Sequence, residues 1–117
     1  MGFKRFTDIK NHNKPKASIR TNGVIGFNKA ARNKFIKDYK YCEFYYDNNN
    51  KQVGLNLTNL DDGHVANIRI TDKDCMIPAI TFLHKYLIPY NKKRSCNPFI
   101  KYDEDIATNL LILDFGI

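Results

Sequence analysis

Apolar residues along this chain recur at every second position, in short stretches broken by turn-forming residues. That spacing commits most of the molecule to β-structure. Val53, Leu55 and Leu57 alternate with Gly54, Asn56 and Thr58, and Cys42, Phe44 and Tyr46 share one side of the preceding segment. Further on, Ala66, Ile68 and Ile70 alternate with Asn67, Arg69 and Thr71. Period two marks a strand covered on one face. The breaks are Asn22-Gly23, Asp47-Asn48-Asn49-Asn50, Asp61-Asp62-Gly63 and Thr71-Asp72-Lys73-Asp74, all rich in turn formers. No run approaches the roughly 18 apolar residues that span a bilayer, so no membrane partner is expected. The 117 residues suit one small domain with one core, and eight Phe and seven Tyr give it bulk without any Trp.

The segments follow one another in an order that repeats. Residues 1–16 form a basic N-terminal arm, in which Phe3, Phe6 and Ile9 offer docking contacts and Asn11-His12-Asn13-Lys14-Pro15-Lys16 reads as loop. A first ββαββ unit spans 17–59. It opens with a hairpin turning at Asn22-Gly23, where positive φ angles are readily supplied. Asn28 is placed to cap a short helix over Lys29–Lys37, with Phe27, Ala31 and Phe35 on its inner side. A second hairpin closes the unit. The second unit, 64–115, has one strand through Ala66, Ile68 and Ile70, a short apolar strand at Cys75-Met76-Ile77, and a helix over Ala79–Leu87 with Pro78 in its first turn. A loop carrying Pro89, Lys92, Lys93, Arg94 and Pro98 leads to strands at Phe99–Asp103 and Leu110–Leu113. Phe44-Tyr45-Tyr46-Asp47 matches Ile100-Lys101-Tyr102-Asp103, and Gln52-Val53-Gly54-Leu55 matches Asn109-Leu110-Leu111-Ile112, as an internal duplication requires. The second helix, with Ile80, Phe82, Leu83, Tyr86 and Leu87, is apolar nearly all round, so a homo-oligomer through it is expected.

Charge is distributed unevenly. Residues 1–40 carry eleven Lys and Arg against Asp8 and Asp38, a net +9, whereas residues 41–117 carry a net −2. A one-sided cationic field suits a polyanion, with nucleic acid the first expectation. Lys14 and Lys16 on the arm, Arg20 on the hairpin edge, and Lys29, Arg32 and Lys34 on the helix are the candidate nucleic-acid-binding residues. Lysine neutralises phosphate and releases counterions, while an arginine fork also matches the guanine edge. Tyr41 and Tyr45 are candidates for base stacking.

Catalytic chemistry has little support. His12, His64 and His84 lack metal-ligand spacing, and His84 reads as a packed core histidine. Asp103-Glu104-Asp105 reads as a solvated turn, and no phosphate-binding glycine loop or nucleophile elbow occurs. No enzyme activity, catalytic residue, metal site or cofactor is expected. Three separated cysteines, Cys42, Cys75 and Cys96, fit no disulfide framework. Met1-Gly2-Phe3-Lys4-Arg5-Phe6 offers no apolar stretch for a secretory signal. A cytoplasmic setting is expected.

Arg20, the Gly23 turn, Val24-Ile25 and a short helix bearing Arg32 before a strand–turn–strand together resemble the AbrB/MazE-type swapped-hairpin family. Ile19-Arg20 fits the start of that family's unit, Asn28 takes its proline position, and Phe35 its closing apolar residue. The second unit keeps the proline at Pro78 and has Ile68-Arg69 at its start, without a helical arginine. The family's Gly-Arg pair is missing, since Gly23 precedes Val24. The resemblance implies a mainly β fold with two short helices, in which two tandem units build one pseudo-twofold AbrB-like barrel. It also implies double-stranded DNA as partner and transcription regulation as function. The topology resembles double-psi barrels as well, which serve as binding modules. A protein-interaction or assembly module, such as one of a mobile element, is therefore the alternative function.

Overall fold

The computed structural model describes residues 2–3 and 14–116, so Phe6, Ile9, His12 and most of the expected arm lie outside the described residues. Phe3, within them, is almost fully exposed. Among the described residues the chain forms ten strands, two short α-helices and one π-helical turn. Strands β1 (Ala17–Ile19) and β2 (Val24–Phe27) make the first hairpin. Helix α1 (Lys29–Ala31) runs straight into a π-helical turn, Arg32–Ile36. β3 (Tyr41–Asp47) and β4 (Gln52–Thr58) make the second hairpin. The second half contains β5 (Ala66–Asn67), β6 (Arg69–Ile70), β7 (Cys75–Pro78), α2 (Ile80–Lys85), β8 (Arg94–Cys96), β9 (Phe99–Asp103) and β10 (Thr108–Leu113).

These strands form two five-stranded antiparallel sheets, ordered β6-β7-β2-β1-β8 and β5-β3-β4-β10-β9. In each sheet, second strands of successive hairpins lie side by side, with Ile25 opposite Ile77 and Leu55 opposite Leu111. The β3–β4 and β9–β10 turns are built alike. Lys51 and Ala107 both take left-handed φ, and Asp47 and Asp103 each accept an amide three residues on, from Asn50 and Ile106. Matched at their turns, the hairpins set Leu55 with Leu111, one position off the match read from sequence. A single apolar core draws on both sheets and both helices, through Ile19, Ile25, Ala31, Ile36, Leu55, Ile77, Leu83, Leu111 and Leu113, and among the described residues no polar or charged one is buried.

Four expectations need correction. The first helix is no continuous α-helix. Its π turn adds a residue per turn, so Ile36 rather than Phe35 is the fully buried residue after Ala31. Pro78 ends β7 opposite Val24, where the missing amide costs no central ladder bond, and α2 begins two residues later. The alternating run at 66–70 is two strands in different sheets. At Ile68, whose amide donates to the Lys40 carbonyl (2.9 Å), the chain crosses between sheets. The loop before Pro98 contains β8, an edge strand held to β1 by its ladder and by a Ser18–Ser95 hydroxyl contact of 2.8 Å.

Gly23 alone takes positive φ in the first turn, and its carbonyl accepts the Ala79 amide (3.0 Å). A Cβ there would meet Ile80 at 2.9 Å, so this glycine also lets α2 pack on the hairpin. No helix is long and apolar enough to cross a membrane among the described residues.

Candidate nucleic-acid interface

Asn28 organises the basic region. Its side-chain oxygen accepts the Ala31 amide (2.9 Å), the N-cap bond expected of asparagine at this place. The same oxygen accepts the Lys16 amide (3.0 Å), and its Nδ2 donates to the Lys14 carbonyl (2.7 Å). The Asn28 amide donates to the Lys16 carbonyl (3.0 Å). One residue thus laces Lys14-Pro15-Lys16 to the start of α1, beside Lys29. Lys14, Lys16 and Lys29 are all exposed.

Arg32 follows one turn later. Its amide donates to the Asn28 carbonyl (2.9 Å) and its guanidinium reaches the Thr71 carbonyl (3.4 Å). Lys29, Arg32 and Lys73 line a cleft of about 120 Å³ between α1 and the β6–β7 turn, together with Phe27, Asp72, Asp74 and Cys75. Lys73 came from outside the basic leading stretch, and only its place in the β6–β7 turn brings it here. No local sequence signal marks it.

Arg20 has a different task. Its guanidinium grips Asp74 with two hydrogen bonds of 2.8 and 2.7 Å, the sole ion pair among the described residues. The pair holds the Asp74 carboxyl below the usual carboxylate range, chiefly through these hydrogen bonds against a desolvation penalty, and raises Arg20 in turn. The guanidinium lies across Gly26, where an added Cβ would land on it. Arg20 therefore fastens the first hairpin to the β6–β7 turn and takes up one of the cleft's two carboxylates. Lys34 is also separated from the group. It sits over the Phe35 ring (5.3 Å) and lines another groove with Lys37, Tyr39, Asn56 and Ile100. Of the six residues singled out in the sequence, the fold gathers Lys14, Lys16, Lys29 and Arg32.

The remaining chemistry-bearing side chains are mostly absorbed into packing. Tyr45 is half-buried and donates to Glu43 (3.4 Å), its phenol pushed up by burial first and by Glu43 second. Tyr41 is half-buried in β3, beside β4 and β5. His84 is exposed rather than packed in the core, and is hydrogen-bonded to and stacked on Tyr90. The cysteines are free thiols, and burial pushes them up, Cys96 to about 12. At ordinary pH they stay protonated and unreactive. Among the described residues, no three His, Cys, Asp or Glu side chains are grouped to hold a metal ion.

On α2, Leu83 is buried and Phe82 stacks on Phe44 (centroids 4.7 Å apart), while Tyr86, the residue that caps the helix C-terminus, packs on Tyr46 (5.0 Å). Ile80, Tyr86 and Leu87 still show substantial exposed surface.

Compared with known proteins, the chain matches no family model, no curated protein and no solved structure.

Proposed function

We propose that this chain is a small DNA-binding protein, regulatory in role, that contacts the duplex backbone with Lys14, Lys16, Lys29 and Arg32. The observation that carries this reading is the Asn28 lacing, which draws cations from two separate segments to the start of one helix. Four cations within one small region suit a duplex backbone, which carries a negative charge at every phosphate. Their attraction is summed without reading sequence. Lys73 lies at the rim of the same cleft, and Arg20 relieves the local negative charge by pairing with Asp74.

The strand pairing order supports reading 17–59 and 64–115 as duplicated ββαββ units in one pseudo-twofold barrel of the AbrB-like or double-psi-like kind. In that arrangement the first unit presents the cations and the second presents an apolar helix.

The test is fluorescence anisotropy of a labelled duplex titrated with the protein at low salt, for wild type and for Lys29→Ala/Arg32→Ala. Wild type binds, and the double variant binds about tenfold more weakly or less. Absence of binding at low salt overturns the proposal and leaves the protein-interaction module as the reading.

A further inference from the structure

The second sheet ends differently on its two sides. On one side the outer edge of β3 is covered by β5, which pairs Tyr41 with Asn67 and Cys42 with Ala66. On the other side β9 pairs only inward, with β10, from Phe99↔Ile112 to Asp103↔Thr108. Among the described residues nothing runs along its outer edge. β9 is also the longest edge strand of either sheet, and contains no proline or glycine. Three of its five residues are large and apolar, and all are well exposed: Phe99 at 43%, Ile100 at 51% and Tyr102 at 56%. A long unpaired edge with apolar side chains is a template for another strand, and most proteins blunt it with charge or cover.

The charges on β9 are arranged to select that strand. Lys101 alone would guard the edge against any approaching chain. Asp103, two positions on, shares its side of the strand. We propose that β9 pairs antiparallel with β9 of a second copy about a twofold axis at Tyr102, joining the two sheets into one. In this register Tyr102 faces its own counterpart, and Lys101 of each copy faces Asp103 of the other, twice over. Ile100 lies diagonal to the partner's Tyr102, within reach of side-chain contact. Moving the axis to Lys101 would set the two lysines opposite each other, which the pairing of like charges disfavours. The contact is isologous, so it closes at two copies and builds no fibre. Helix α2 competes poorly for the same role, because Phe82 and Tyr86 already spend part of their apolar surface on Phe44 and Tyr46.

The experiment uses the full chain and measures mass in solution by sedimentation and light scattering, from micromolar to near-millimolar protein. Wild type passes from monomer to dimer across this range. Lys101→Asp faces carboxylate with carboxylate and weakens the dimer by about tenfold. Lys101 is exposed, so the fold should tolerate the change, and an unaltered circular dichroism spectrum confirms this. A second variant reports the register directly. Tyr102→Cys places two thiols across the axis, where opposed residues sit at disulfide distance, and mild oxidation yields a covalent dimer. Phe99→Cys, remote from the axis, does not crosslink. A protein that stays monomeric throughout overturns the proposal. A dimer indifferent to Lys101→Asp, or crosslinked equally well through Phe99→Cys, also overturns it and moves the contact elsewhere, with α2 the next surface to test. DNA binding is measured separately, so failure here leaves that reading intact.

Discussion

Gly26 and Arg20 show how one small side chain sets the terms for a larger one. Arg20 crosses the strand because Gly26 has nothing above its Cα, and only from there does it reach both oxygens of Asp74. Gly26→Ala should displace the guanidinium and cost about 1–2 kcal/mol, read as a lower urea midpoint. With Arg20→Ala already in place, the same methyl should cost much less, because the clash is gone. The carboxylate side of the pair carries a pH signature. Asp74 is held below its unfolded value, so its contribution is present above about pH 4 and is lost as pH falls through the folded-state value. Asp74→Asn should therefore be less stable than wild type at neutral pH, with the gap closing in acid. A gap that stays constant with pH contradicts the ion-pair account. Both side chains remain about a third exposed, so the gap at neutral pH should be only about 1 kcal/mol.

At the scale of elements, the short helix after Asn28 separates what local sequence dictates from what packing dictates. Its start was legible, because an asparagine ahead of an alanine-containing run is a cap by local hydrogen bonding alone. Its π turn was not, because nothing in Arg32–Ile36 announces an extra residue per turn. Burying Ile36 beneath the sheets selects it. Ile36→Ala should cost about 3 kcal/mol and Phe35→Ala about 1 kcal/mol, the reverse of what regular α-helical spacing implies. The hairpin at 41–58 is readable from alternation, since one covered face imposes period two, whereas the strands at 99–113 are read from their match to 44–55, because Leu110–Leu113 is a continuous buried run. Short elements are the harder case. Alternation at 66–70 marks a strand but not its division into β5 and β6 at Ile68, and β8 is too short to show a period, so tertiary pairing alone makes these assignments. The basic site follows the same division. Lys14, Lys16, Lys29 and Arg32 were found from chain charge, whereas the capture of Arg20 by Asp74, 54 positions on, is a tertiary event.

For the whole molecule, the two halves carry different surfaces. The first gathers cations around the start of α1, and the second offers an open strand edge with exposed Phe99, Ile100 and Tyr102. A dimer through that edge would bring two basic sites to one assembly, and their joint binding to a duplex would gain by effective concentration. The central claim is that Lys14, Lys16, Lys29 and Arg32 act together on phosphates. It is tested most directly by the salt dependence of duplex affinity per protomer. Each neutralised phosphate contributes close to −0.9 to the slope of log affinity against log salt, so four cations give about −3.6 and Lys29→Ala/Arg32→Ala about −1.8. A wild-type slope near zero, or one that the double variant leaves unchanged, would contradict the account.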